Sequence, residues 1–274
     1  MNAKLFIPPS QHFHEIDVWK WYQNLPKELE LLELDPIEHQ HILSYYHNAG
    51  LFQSRKYEFF RRHYSNTFYK AAQFLLQDRT NKVVLDLGSG TGTQALFFAL
   101  QGAQVIALDM DSTALEVLRK RKILYENQTG LKLKIEICEQ NAFNLEIQKE
   151  LQIDAVWSMF AFNMMQPSDI LVDQLLYFLS DDARISILDG NNSSWLSKFI
   201  PSRRRKVWSP EEFNEALNSR GFKVNEHFGG IALPPLLWYL DFLQPITERT
   251  NNILCKSWLF PISHQIMATR QDKN

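Results

Sequence analysis

Between Val83 and Gly92 the chain reads Val-Val-Leu-Asp-Leu-Gly-Ser-Gly-Thr-Gly. Its first half is β-branched and leucine-rich, apolar on both faces, as a strand inside a parallel sheet must be. The run then breaks into Gly88, Gly90 and Gly92, separated by the small polar residues Ser89 and Thr91. From Thr93 to Leu100, Ala95, Leu96, Phe98, Ala99 and Leu100 predict a helix with a buried face, closed by Gly102. Strand, glycine turn and helix in succession let the backbone approach a nucleotide-like ligand, because glycine has no Cβ to stand in the way.

The next segment sharpens this reading. Gln104 to Asp109 reads as a second buried strand, ending in an acid 17 residues after Gly92. A carboxylate at that strand tip can accept hydrogen bonds from both ribose hydroxyls of an adenosine. Asp86 is the odd residue in its apolar strand, and a buried carboxylate is costly unless something pairs with it. A ligand ammonium group is a natural partner. The dinucleotide pattern is G-x-G-x-x-G, and here the third glycine comes one residue early, which points to a ligand without a pyrophosphate.

The run Leu85-Asp-Leu-Gly-Ser-Gly-Thr-Gly92, followed by Ala107-Leu-Asp-Met-Asp111, resembles motifs I and II of the class I S-adenosylmethionine-dependent methyltransferases. The resemblance covers Lys82 to Leu188 well and Ser209 to Thr269 more loosely, and it does not reach the first 80 residues. It is closest to the small-molecule branch typified by ubiquinone and menaquinone biosynthesis methyltransferases. It implies an α/β, Rossmann-like fold: a three-layer αβα sandwich around a mostly parallel seven-stranded sheet of order 3-2-1-4-5-7-6. It implies S-adenosyl-L-methionine as cofactor, held by Asp86, Gly88, Ser89, Gly90, Thr91, Gly92, Asp109 and Met110. Asn141, Ala142 and Phe143 stand where the family meets the adenine, and Phe160 stands where an apolar residue covers the adenine or the methionine chain. Family members often carry a histidine where this chain has Asn163. An asparagine takes no proton, so a base does not transfer to that position.

Net charge is −2, which sets up no global attraction to nucleic acid or to an anionic membrane surface. Two cysteines make no disulfide framework and suit a reducing compartment, so a cytoplasmic location is expected. The first ten residues lack the apolar run of a secretion signal, and no stretch reads as a membrane span; the longest candidate, Ile231 to Ile246, is interrupted by Pro234, Pro235, Asp241 and Pro245. The pairs His12/His14 and His39/His41 have a spacing of two, which sends side chains to different helical faces, and no metal site is expected.

Residues 1–80 read as an N-terminal helical cap and 81–274 as the cofactor-binding domain. In the cap, Phe13, Ile16, Trp19 and Tyr22 form an approximate helical stripe, Pro36 opens another helix, and Ser54 to Gln77 keeps Tyr57, Phe60, Tyr64, Phe68, Ala71, Ala72 and Leu75 on one face. That face can simply pack on the sheet domain. Alternatively Tyr46, Arg55, Tyr57 and Arg61 belong to a lid over the cofactor or substrate. The helix after Asp109 is capped by Asp111 or Ser112, and its Arg119-Lys-Arg-Lys122 run reads as a solvated end near the negative pole of the helix dipole. Further strands are expected at Leu131–Cys138, Ile153–Met159, Ala183–Leu188 and Phe222–Phe228, with a closing strand at Pro261–Thr269, and helices at Ser168–Leu179 and from the capping box Ser209-Pro-Glu-Glu212 to Gly221.

Two segments depart from a minimal core: the 190–208 loop, with Arg203-Arg-Arg-Lys206, and a helical insertion at 231–260 before the last strand. Together with the cap they can close over a substrate. Trp238, Tyr239 and Phe242 would then line an apolar pocket, while Arg203 and Arg204 would grip a phosphate or carboxylate. A homodimer interface is the alternative use of the apolar insertion. Methyl transfer from a sulfonium needs mainly alignment, with a base only for a protonated nucleophile. His227, on the sixth strand, and Asp189, ending the fifth, are the candidates for that base, each with a structural role as the alternative.

The expected function is methyl transfer to a small, partly apolar molecule at oxygen, nitrogen or carbon. A binding or accessory subunit that keeps the fold without the chemistry stays open. A nucleic-acid methyltransferase is disfavoured, because Phe160-Ala-Phe-Asn163 stands where amino methyltransferases of adenine and cytosine carry N/D-P-P-Y/F.

Overall fold

The apolar run at the centre of the sequence becomes strand β1, Val83–Leu87, buried at all five positions. The structure, a computed structural model, describes residues 4–10, 12–45, 58–77, 82–146, 151–195, 208–233 and 244–271. The remaining strands are β2 (Gln104–Asp109), β3 (Ile135–Glu139), β4 (Ile153–Met159), β5 (Leu179–Gly190), β6 (Phe222–Gly229) and β7 (Ser263–Arg270). They form one seven-stranded sheet of order β3-β2-β1-β4-β5-β7-β6, the order the resemblance implies. β1, β2 and β3 pair in parallel, as do β4 and β5, whereas β7 runs antiparallel to both β5 and β6. Nine helices flank it among the described residues: α1 (Glu15–Tyr22), α2 (Leu25–Leu31), α3 (Pro36–Tyr45), α4 (Glu58–Leu76), α5 (Thr93–Leu100), α6 (Ser112–Thr129), α7 (Ser168–Leu176), α8 (Pro210–Asn218) and α9 (Gln244–Leu254). None is long and apolar enough to cross a membrane.

The chain divides into two compact units, Met1–Leu145 and Glu146–Asn274. In the first, α5 is buried at every position but Gln94. Phe97 on α5 takes edge-on ring contacts from Phe13 at 5.0 Å, Trp21 at 5.9 Å and Phe68 at 5.2 Å, so helices from the first 80 residues pack directly on the helix after the glycine turn. Such pairs contribute about 0.5–1.5 kcal/mol each beyond area burial. The face of α1 differs from the expected stripe: Ile16 is exposed, and the buried residues are Asp17, Val18, Trp21 and Tyr22. Positions three apart throughout drift around a 3.6-residue helix. The buried set 18, 21, 22 and, beyond the helix, Leu25 follows the i, i+3, i+4, i+7 pattern that stays on one face.

The basic run on α6 needs a second correction. Arg121 is fully buried, where a solvated side chain was expected, and is paired with Glu28 of α2 at 2.6 Å. Helix α6 also runs on past Arg121 to Thr129, where Gly130 stops it in a left-handed conformation, φ +69°. Asp111 is its N-cap, accepting from the Ala114 N–H at 3.1 Å. β3 starts four residues later than its alternation suggests, since Leu131 to Lys134 still carry the chain out of the helix.

In the second unit, β5 is twelve residues long rather than six, pairing with β4 at its start and along its second half. Ser209 and Glu212 form the expected capping box on α8. Ile231 and Ala232 are buried and α9 supplies part of the insertion, while the stretch 234–243, the most apolar part, lies outside the described residues.

Candidate active site

The glycine turn is built by β2 as much as by its own residues. The Gly88 and Ser89 N–H groups both donate to the Leu108 carbonyl, at 2.8 and 2.9 Å, and Gly92 N–H closes back on the Ser89 carbonyl at 2.9 Å. Gly92 sits at φ +77°, and a Cβ there would lie 2.1 Å from Leu118 Cδ1 on α6. Only glycine fits both the backbone angle and the space.

Asp109 ends β2 with its carboxylate spanning the turn. Oδ2 accepts from Gly90 N–H at 2.7 Å and Oδ1 from Asp111 N–H at 3.0 Å. A carboxylate oxygen accepts two hydrogen bonds, so each retains a lone pair for a ligand hydroxyl. Met110, the next residue, is exposed. After β3, Asn141 Oδ1 accepts from Phe143 N–H at 3.0 Å and shapes the turn that holds the buried Ala142 and the half-buried Phe143.

Asp86 is the most informative group in this unit. It is 2% exposed, and its Oδ2 has no hydrogen-bond partner among the described residues. Burial and, behind it, the neighbouring Asp109 charge push its carboxyl up to about 8, against a smaller opposing effect of the Ala95 backbone N–H. The Ser89 hydroxyl is likewise buried without a partner among the described residues. An orphaned carboxylate oxygen beside a glycine turn is the complement of a cation with N–H donors.

The second unit holds the remaining described candidates. Phe160, just past β4, has φ +55°, a strained angle for a bulky residue, and its N–H donates to the Leu188 carbonyl at 2.7 Å. Asn163 lies in the 3-10 turn that follows; its N–H donates to Asp189 Oδ2 at 2.8 Å, and its Oδ1 accepts from Trp208 N–H at 3.2 Å. Asp189 also accepts from Gly190 N–H at 2.7 Å, so both of its oxygens hold backbone at the end of β5.

His227 Nε2 and His264 Nδ1 are 2.9 Å apart, joined by one hydrogen bond. Burial holds His227 down at about 4, and burial reinforced by His227 holds His264 down at about 3, so both are neutral at pH 7. His264 was not legible as a candidate. It stands opposite Asp189 in the antiparallel register of β5 and β7, a pairing that no local pattern in the sequence reveals. Tyr46, Arg55, Tyr57, Arg203, Arg204, Trp238, Tyr239 and Phe242 lie outside the described residues, as does the side chain of Arg61.

Residues 84–180 match the sequence profile of a methyltransferase-domain family. No curated protein matches this chain by sequence. Among solved structures, the plantazolicin methyltransferase BpumL, in complex with a monoazolic desmethylPZN analog and SAH, is 16% identical, with a TM-score of 0.53 over 94% of this chain and 98% of its own. The YcgJ protein from Bacillus subtilis is 15% identical, with a TM-score of 0.53 over 75% of this chain and 98% of its own. The [4+2]-cyclase SpnF is 16% identical, with a TM-score of 0.53 over 74% of this chain and 79% of its own. The chain therefore has the Rossmann-like methyltransferase fold, with a methyltransferase domain matched from β1 to the start of β5.

Proposed function

We propose that this protein is an S-adenosylmethionine-dependent methyltransferase acting on a small, partly apolar molecule. The observation that carries the reading is Asp86: a buried carboxylate with an unpartnered oxygen among the described residues, next to a turn whose three glycines, Gly88, Gly90 and Gly92, all take positive φ. S-adenosylmethionine brings an ammonium group for such a carboxylate and ribose hydroxyls for Asp109. When bound, it supplies an electrophilic methyl group on a sulfonium.

The chain's own residues then have mainly positional work. Asp86 would take the ligand's cationic end, Asp109 would hold the ribose through its spare lone pairs, and Ala142 and Phe143 would pack on the adenine. Holding the acceptor in line accounts for most of the rate in a displacement of this kind. His227 is neutral and bonded to His264, so its part is to orient a polar group of the acceptor, and Asp189 holds the loop carrying Asn163. The apolar residues of the 231–243 stretch and the basic Arg203 and Arg204 support an acceptor with an apolar body and an anionic group. BpumL, which has this fold at 16% identity, has been solved in complex with a monoazolic desmethylPZN analog and SAH.

Calorimetric titration with S-adenosylmethionine and S-adenosylhomocysteine tests the reading, and the absence of binding of both sinks it. The likeness to a cyclase favours a second possibility, a cofactor-binding protein without methyl transfer. Transfer of labelled methyl from S-adenosylmethionine to a panel of aromatic acids and prenylated rings separates the two.

A further inference from the structure

Arg121 makes contacts that its place in a basic run conceals. Its Nε donates to Glu28 Oε2 at 2.6 Å, and its Nη1 donates both to the Thr91 carbonyl at 2.7 Å and to Thr93 Oγ1 at 2.9 Å. These two acceptors flank Gly92, the residue that turns the chain from the glycine run into α5. The guanidinium thus grips the cofactor turn from behind.

Its counter-charge comes from far away in sequence. Glu28 is 2% exposed on α2, and its other oxygen accepts from the Tyr125 hydroxyl at 2.6 Å. Asn24, which precedes α2, donates to that hydroxyl at 3.3 Å and pairs with the backbone of Phe6 at 2.9 and 2.7 Å. A continuous polar network, buried from Asn24 onward, therefore runs from residue 6 to the Thr91 peptide.

We propose that Arg121 is a positioning residue for the cofactor site, and that through Glu28 the N-terminal helices are a working part of that site. The inference rests on the reading that the glycine turn binds S-adenosylmethionine. A planar guanidinium holds a carboxylate and a carbonyl at fixed angles, which a lysine ammonium on a flexible stem does not. If Glu28 loses its charge, Arg121 is left buried and uncompensated and swings toward another acceptor. The Thr91 peptide then loses its donor, and the turn relaxes from the conformation the ligand requires.

The test compares affinity with stability in the full-length protein, using S-adenosylhomocysteine as the probe. Glu28→Gln and Arg121→Lys are expected to raise its Kd at least tenfold and to raise KM for S-adenosylmethionine with kcat at saturation within about twofold. Val117→Ala, a cavity in the same helix with no part in the network, serves as the control for lost stability. It should lower Tm while leaving Kd within twofold. The triple variant Glu28→Leu/Arg121→Met/Tyr125→Phe replaces the network with apolar side chains, which can restore stability. It should regain Tm relative to Glu28→Gln yet keep the raised Kd. Wild-type Kd in Glu28→Gln and Arg121→Lys overturns the proposal, as does a Kd in Val117→Ala that rises in step with its loss of Tm. Failure of the wild-type protein itself to bind S-adenosylhomocysteine would instead remove the functional reading beneath it.

Discussion

Asp86→Asn offers the sharpest test of the cofactor site, because the structure predicts a pH dependence as well as a loss. The wild-type carboxyl sits at about 8, raised by burial and by Asp109. A cationic ligand binds the ionised form, so below pH 8 binding must first release a proton. Each pH unit of descent then weakens affinity about tenfold, or about 1.4 kcal/mol. Between pH 8, where half of the carboxyl is ionised, and pH 6 the loss reaches about fiftyfold, and toward pH 6 close to one proton is released per ligand bound. Asparagine keeps the shape and removes both the charge and the titration. At pH 8.5 the variant should bind S-adenosylhomocysteine about 10- to 150-fold more weakly, the loss of a charge-assisted hydrogen bond worth about 1.5–3 kcal/mol. Near pH 6 the two proteins should converge. The ligand-free protein carries the same signature in its stability. The unfolded chain gives up this proton near 3.8 and the folded chain only near 8. Between those values the native state binds more protons, so stability falls as pH rises across that window and levels off above 8. Asp86→Asn should flatten that slope and exceed wild-type stability at pH 8. Calorimetry in buffers of different ionisation enthalpy counts the released proton. A wild-type affinity flat from pH 6 to 8, with no proton released, refutes the reasoning.

Gly92→Ala should cost about 2–5 kcal/mol, the sum of a left-handed angle at +77° and a Cβ forced against the buried Leu118; an unchanged urea midpoint would show the turn to be slack. Asp109→Ala should weaken S-adenosylhomocysteine binding by about 1–3 kcal/mol through unpartnered ribose hydroxyls and a loosened Gly90 peptide, and wild-type affinity by calorimetry would place the ligand elsewhere. His227 and His264 are held neutral well below the ordinary histidine value of 6.5, so the unfolded chain binds more protons below it and stability should fall as pH drops from 6.5 toward 4. His264→Phe should lessen that acid sensitivity in thermal melts across the same range, and an unchanged slope would exclude the pair as its source.

Most of the fold was legible because its signals are local. The apolar runs at 83–87, 104–109 and 153–159 became β1, β2 and β4 within their expected bounds, and the capping box at Ser209 opened α8. Where a boundary moved, as at β5 and β3, the cause was strand pairing, which extends or trims a strand according to its neighbour. The glycine turn and the Asp109 strand tip came together for the same reason, since the candidate residues there lie within a few positions of one turn or at the end of the adjacent strand. The rest was not legible. Ile16 looked like core by spacing and is exposed, because the direction of a helix's buried face depends on the surface that receives it.

Arg121 and His264 define the limit. The sequence alone determined that this chain builds a mostly parallel sheet with a glycine turn, and that a carboxylate stands in each of the two strands beside that turn, since residue type and short-range spacing carry that information. Only the tertiary structure decided that one arginine in a run of four basic residues is fully buried against Glu28, 93 positions away, and that His264 is hydrogen-bonded to another histidine 37 positions before it. Burial and hydrogen-bond partnership arise from contacts between segments distant in sequence. A side chain's charge state and its work are set by those contacts rather than by its neighbours along the chain.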